Sequence, residues 1–268
     1  MKKKKEPQFE SDFSFIASHE LKAPLSAMKW FLNMLMKEDL GKLNPDQREI
    51  LDEIYKNNEH MINLIESVTD AAAITKGTVY FKKTTFNLLR VLKDLEKDIL
   101  HFAKAKNVAL DLRIEKKDKL CVHGDKRRIS DTIYNLLTNA VKYTPARGTV
   151  AVTAKKISRD ELKNIIVKTT THPEPRLIET SHAHEFVLFE VSDSGIGIPR
   201  DQQHRVFSKF FRGDNAIKIN TRGVGLGLFI DRYVISMSDG FIWFRSSPEK
   251  GSLFAFALPL AHLAHHGT

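Results

Sequence analysis

Cysteine is nearly absent from this chain of 268 residues. Cys121 stands alone, which excludes an internal disulfide framework and any paired-cysteine zinc or redox centre; it reads as a buried strand residue. No run approaches the roughly 18 consecutive apolar residues of a membrane span. The basic start MKKKKEPQFESDF continues without the apolar stretch of a signal peptide. Together these absences predict a soluble, cytoplasmic protein.

What is present suffices for a packed core: 42% of the residues are hydrophobic, and the length accommodates one large or two modest domains. The formal net charge of +9 fits a nucleic acid, an anionic membrane surface or a phosphate-bearing ligand, and charge alone does not choose among them. The one dense basic run, Lys2 to Lys5, reads as a solvated tail, with a lipid-attracted juxtamembrane segment as the alternative. No nucleic-acid module accompanies it, so no nucleic-acid partner is expected.

Hydrophobic spacing divides the chain. Phe13, Ile16, Leu21, Leu25, Met28, Phe31, Leu32 and Leu35 recur at three- and four-residue intervals, as on one helical stripe. A second helix starts at Asn44 as cap and Pro45 in the first turn, and carries Ile50, Ile54, Met61, Leu64, Ile65, Val68 and Ala72. Two antiparallel helices cannot bury both stripes alone, which predicts a four-helix homodimer. After the turn at Lys76 and Gly77 the pattern becomes mixed. Strands are expected at residues 84–86, 108–114, 120–123, 149–156, 186–192, 241–246 and 253–258. Helices are expected at 88–103, capped by Asn87, and after Asp125. The fold class is therefore α+β, a helical hairpin followed by an α/β sandwich with helices on one face of a mixed sheet. The polar stretch 157–184, centred on TTTHPEP, reads as a surface insertion.

Three separated segments carry the chemistry. NLLTNAVKYTP (135–145) places Asn135 and Asn139 one helical turn apart on a shared face; asparagine is a poor helix former, and capping cannot explain both. DSGIGIP (193–199) puts Asp193 at the end of the apolar strand FVLFEVS, followed by Gly195 and Gly197, which permit positive φ and close backbone approach. RGVGLGL (222–228) brings Gly223, Gly225 and Gly227 to the start of the helical run LGLFIDRYVI, where unpaired N–H groups can face an anion. Neither glycine cluster reads as a G-x-x-x-x-G-K-[ST] loop or as G-x-G-x-x-G. Between them, 207–223 carries Lys209, Arg212, Lys218 and Arg222 and reads as a lid, with Phe207, Phe210 and Phe211 as its anchors or as ordinary core. The histidines at 182, 184, 262, 265 and 266 lack cysteine or acidic partners at ligand spacing and read as loop and tail residues.

With SHELKAPL (18–25) and FSKFFRG (207–213), these segments resemble, in order, the H, N, G1, F and G2 boxes of bacterial sensor histidine kinases of two-component signalling. The resemblance spans residues 9 to 259. It implies a dimerisation and phosphotransfer hairpin at 9–76 and a catalytic ATP-binding domain at 83–260, of the type shared with gyrase and heat-shock chaperones. It further implies that His19 is the phosphoacceptor, with Glu20 drawing on its Nδ1 proton, and that Pro24 loosens the helix beyond. Asn139 then supplies an oxygen to Mg²⁺, Asn135 lines the same site, Lys142 approaches the phosphates and Tyr143 flanks the adenine. Asp193 accepts from the adenine amino group between walls formed by Ile196 and Ile198, Arg212 reaches the γ-phosphate, and Gly195, Gly197, Gly223, Gly225 and Gly227 shape the nucleotide loops.

The implied cofactors are ATP and Mg²⁺, and the implied partners are a second copy of the chain and the receiver domain of a response regulator. A membrane enters only through a possible N-terminal sensor region. Two rival readings are an ATPase clamp of the gyrase-like class, opposed by the H box, and a non-catalytic dimeric adaptor, opposed by the intact Asn139, Asp193, Gly225 and Gly227. One departure from the family pattern stands out: four residues after His19, where many members carry Thr or Asn, this chain has Ala23, which predicts weak phosphatase activity.

Overall fold

The computed structural model describes residues 8–114, 119–169, 181–219 and 223–261, with side chains described from Glu20 onward and, in the helix ending at Thr169, as far as Val167. The chain divides into two compact units between Val79 and Tyr80.

The first unit is a hairpin of two long helices, α1 (Gln8–Met36) and α2 (Pro45–Lys76). The start of α2 is set by a capping box: Asn44 Oδ1 accepts the Gln47 backbone N–H at 2.8 Å, and the Gln47 side chain accepts the Asn44 N–H at 3.0 Å. Its end is set by Gly77 at φ 69°, which donates to the carbonyl of Ile74. The helix α1 runs unbroken through Pro24. Leu25, Leu32, Ala71 and Ile74 are buried, and Asn58 Nδ2 donates across the hairpin to the Leu25 carbonyl at 3.0 Å. Lys29 and Glu59 pair across the hairpin at 2.8 Å. Much of both stripes stays uncovered within one chain: Leu21, Met28, Phe31, Ile50, Ile54 and Met61 are all exposed.

The second unit is built on a five-stranded sheet in the order β2 (Ala109–Ile114), β4 (Thr149–Ser158), β5 (Glu185–Asp193), β7 (Gly251–Pro259), β6 (Phe241–Ser247). The β2 and β4 strands are parallel and the other pairs antiparallel. A separate antiparallel pair joins β1 (Lys83–Asn87) to β3 (Cys121–Asp125). Cys121 is buried in β3. The helices α3 (Leu88–Ala105), α4 (Lys126–Tyr143) and α7 (Gly227–Met237) cover one face of the sheet. Asn87 and Asp125 cap the first two, accepting the N–H groups of Leu89 at 3.0 Å and Arg128 at 3.2 Å. Along α4, Ile129, Ile133, Leu136, Leu137, Ala140 and Val141 are buried at helical spacing. Asn135, Asn139, Lys142 and Tyr143 are left half-buried at the margin.

Strand alternation sorts the core into two layers. Val187, Phe189, Val191, Phe256 and Leu258 face α3, α4 and α7, whereas Phe186, Leu188, Ala255 and Ala257 face the other way. That second face is not bare, which corrects the expectation of helices on one side only. The strand β4 continues to Ser158 and leads into α5 (Arg159–Thr169), whose Leu162 and Ile166 are buried against Ile157, Phe186 and Trp243. The first part of the stretch read as a polar insertion is thus a structural layer. Its apolar residues keep helical spacing inside a polar sequence. Arg159 closes the base of this excursion, donating to the carbonyls of Ala183 at 2.8 Å and Ser181 at 2.6 Å. The TTTHPEP centre, from residue 170, lies outside the described residues, as do Lys2 to Lys5, Arg222 and the histidines beyond residue 261.

Candidate active site

The C-terminal half of α4, the loop after β5 and the loop leading into α7 meet at one margin of the sheet. Asp193 is the last residue of β5. Its Oδ1 accepts the backbone N–H groups of Gly195 at 2.8 Å and Ser252 at 3.1 Å, so Oδ2 remains to receive a further donor. Burial raises the carboxyl pKa to about 6, against the opposing effect of those two N–H groups. The turn after it is fastened to α4 by the Ile196 N–H, which donates to the Tyr143 carbonyl at 3.2 Å. Gly197 (φ 63°) passes so close to Ser247 that a Cβ would lie 2.0 Å from its carbonyl oxygen. This contact admits only glycine. The Ile198 N–H then donates to Ser246 Oγ at 2.8 Å, and Gln203 Nε2 donates to the carbonyls of Ile198 and Ser246.

A ladder of carboxamides runs along the inner face of α4. Asn139 Nδ2 donates to Asn135 Oδ1 at 3.1 Å, and Asn135 Nδ2 donates to Asp231 Oδ2 at 2.5 Å. Gly227 lies directly against Asn135: a Cβ there would stand 2.7 Å from Asn135 Nδ2. Lys142 Nζ sits over the Tyr143 ring, 5.0 Å from its centroid, and Gly223 faces that ammonium. Gly225 has φ 72° and packs against the Phe211 carbonyl. Arg212 Nη1 donates to the Gly223 carbonyl at 3.1 Å.

The structure therefore brings Asn135, Asn139, Lys142, Tyr143, Asp193, Gly195, Gly197, Arg212, Gly223, Gly225 and Gly227 into one neighbourhood of the second unit. His19 and Glu20 lie on α1 in the first unit. The side chain of His19 falls outside the described residues, and Glu20 is exposed. The stretch read as a lid holds a short helix, α6 (Asp214–Ile219), whose Asn215 Nδ2 donates to the Gly197 carbonyl at 2.9 Å. Of its three phenylalanines, Phe207 packs edge-on against Phe244 and Phe211 lies under Arg205, but Phe210 is 66% exposed at φ 59°.

Sequence reasoning missed Asp231. It is buried in α7, and burial raises its pKa to about 8 despite the Asn135 amide that favours its charged form. The available signal was an acid inside the apolar run LGLFIDRYVI, one turn after Gly227.

Among the described residues no cluster of His, Cys, Asp or Glu could hold a metal ion, and no helix is long and apolar enough to cross a membrane. A site offering one carboxamide oxygen suits Mg²⁺, which takes most of its oxygen ligands from phosphate and water.

Comparison with known proteins decides the family. Residues 124–262 match the model for histidine kinase-, DNA gyrase B- and HSP90-like ATPases, and residues 10–77 match the His Kinase A (phospho-acceptor) domain. The chain belongs to the sensor histidine kinase family. As a histidine kinase chain it is 30% identical over 254 residues to the non-motile and phage-resistance protein of Caulobacter vibrioides, covering 94% of this chain and 27% of that protein. It is 27% identical over 249 residues to the circadian input-output histidine kinase CikA of Synechococcus elongatus, covering 92% and 30%. To the histidine-protein kinase BarA of Escherichia coli it is 28% identical over 253 residues, covering 94% and 25%. The histidine kinase chain thus spans less than a third of the length of these relatives. Its fold is similar to that of full-length ShkA, solved in complex with AMPPNP, with a TM-score of 0.66 at 22% identity over 95% of this chain and 47% of that one. It is also similar to that of the Acinetobacter baumannii histidine kinase AdeS, with a TM-score of 0.56 at 18% identity, covering 91% and 98%.

Proposed function

We propose that the chain is an ATP-dependent protein-histidine kinase that works as a homodimer, phosphorylates its own His19 and passes the phosphoryl group to a response-regulator aspartate. The hairpin, residues 9–76, dimerises and carries the acceptor; residues 83–260 bind Mg·ATP. The observation that carries this reading is the convergence of Asn139, Asp193, Lys142 and Arg212 on one margin of the sheet, between loops whose glycines admit close backbone approach.

In this mechanism Asp193 Oδ2 accepts the adenine amino group, and the Tyr143 ring flanks the base. Lys142 and Arg212 approach the phosphates, where preorganised cations stabilise the charge that shifts during transfer. The oxygen of Asn139 holds Mg²⁺, which when bound neutralises phosphate charge. Neutral His19 attacks the γ-phosphorus through Nε2: a P–N bond forms, the bond to the bridging oxygen breaks and ADP leaves, while Glu20 draws on the Nδ1 proton. The regulator's aspartate then attacks the phosphohistidine, forming a P–O bond as the P–N bond breaks.

The test is incubation with γ-labelled ATP and Mg²⁺. A phosphoramidate survives alkali and is lost in acid, and His19→Gln should abolish this label while nucleotide binding stays within about twofold, because acceptor and pocket belong to different units. ATP hydrolysis without a labelled protein would favour a clamp-like ATPase instead, and equal labelling of parent and variant would remove His19 from the mechanism.

A further inference from the structure

Asn135 is held from two sides by a single helix. Gly227 and Asp231 are one turn apart on α7 and so share a face. The first supplies the space for the carboxamide, since a Cβ there would overlap it. The second supplies an acceptor at 2.5 Å. An amide has one donor end and one acceptor end, so with the donor end of Asn135 turned to Asp231 its Oδ1 is the end that can accept the next rung. That oxygen accepts Asn139 Nδ2 at 3.1 Å, which commits the donor end of Asn139 as well. The free acceptor at the end of the ladder is then Asn139 Oδ1. Either protonation state of Asp231 retains an oxygen able to accept, and the direction of the ladder is the one in which Asn135 Nδ2 donates to Asp231 and Asn139 Nδ2 donates to Asn135.

We propose that Asp231 is a positioning residue which, through Asn135, orients Asn139 so that its carboxamide oxygen rather than its nitrogen faces the nucleotide-bound metal. The physical need is plain. A carboxamide is nearly symmetric in shape, so packing alone discriminates poorly between its two flips, and the flipped form would turn an N–H₂ group toward a cation. An acceptor buried beneath the ladder breaks that near-degeneracy, as outer-shell partners of metal ligands do elsewhere. The proposal rests on the reading of Asn139 as a magnesium ligand.

The experiment compares binding of AMPPNP with and without Mg²⁺ by calorimetry. In the parent, Mg²⁺ should tighten binding; no metal effect there would overturn the reading of Asn139 itself. Given that effect, Asp231→Ala should reduce the Mg²⁺-dependent gain by about tenfold or more, while metal-free affinity stays within about twofold. Asp231→Asn, which retains an acceptor oxygen, should restore most of the gain. An alanine variant with an unchanged metal gain would overturn the proposal. So would equal losses with and without metal, which would mark Asp231 as merely structural. Should the alanine variant fail to fold, the parent and Asp231→Asn carry the test. Both should show slowly exchanging, well-dispersed side-chain amide protons for Asn135 in ¹⁵N-edited spectra, and solvent-like, rapidly exchanging protons would sink the idea.

Discussion

Asp193 and Ser252 are register partners on β5 and β7, and the Asp193 carboxylate accepts the Ser252 backbone N–H at 3.1 Å. A strand end is thereby tied to its neighbour by the same side chain that is proposed to read the adenine. One oxygen serves the fold, and the other is the one assigned to the nucleotide in the proposed function.

This arrangement makes binding and stability depend on pH in opposite ways. The Asp193 pKa rises from 3.8 to about 6 on folding because burial opposes the charged form. Folded-state stability from this group is therefore fully present below the unfolded value and is lost as pH rises through about 6. The difference corresponds to about 3 kcal/mol above that range. Asp193→Asn should accordingly melt at a higher temperature than the parent at pH 8 and at about the same temperature near pH 3.8. Nucleotide affinity of the parent should fall below pH 6 as the acceptor is protonated. A parent affinity flat between pH 5 and 8 would contradict the adenine role.

Lys106, just after α3, donates its ammonium to the carbonyls of Val141, at 3.0 Å, and Lys142. These are orphan acceptors at the C-terminus of α4, where a cation also complements the helix dipole. Burial and the neighbouring Lys142 lower its pKa. Lys106→Met should destabilise the second unit by about 1–3 kcal/mol and weaken nucleotide binding by loosening Lys142 and Tyr143. Denaturant unfolding of both proteins, with AMPPNP titrations alongside, measures the two effects.

The hairpin leaves Leu21 53%, Phe31 57% and Ile50 60% exposed in a single chain. Apolar stripes of this extent call for a partner surface, and in the proposed dimer a second hairpin would cover both at once. Ile54→Glu should shift the protein from dimer to monomer at micromolar concentration in sedimentation equilibrium. A parent that is monomeric under those conditions would contradict the dimer.

Ala23 lies one helical turn beyond His19 and is exposed. Its methyl group neither donates nor accepts a hydrogen bond, so it cannot position a water against a regulator's phosphoaspartate. Orientation of that water is worth about tenfold or more. Ala23→Thr should raise phosphatase activity toward the phosphorylated regulator without changing nucleotide affinity. Rapid, ADP-stimulated dephosphorylation by the parent would count against the expectation.

Local pattern alone determined much of this protein. The cap at Asn44, the helical spacing of Leu25 and Leu32, and the apolar strand at 186–192 are readable because helix and strand impose periods of 3.6 and 2 on burial. The glycine boxes are readable for a related reason, since positive φ at Gly197 and Gly225 restricts residue choice on the spot. Tertiary structure decided the rest. Asn135 and Asp231 are 96 residues apart, and no local rule couples an asparagine on one helix to an acid on another. The same holds for α5, whose Leu162 and Ile166 look like strays in a polar stretch until the outer face of the sheet supplies Phe186 and Trp243 beneath them. Phe210 reverses the lesson: an aromatic between two packed ones is exposed, with a positive φ that no local pattern announces. Periodicity tells a residue which way to face, but only the folded chain determines what it meets.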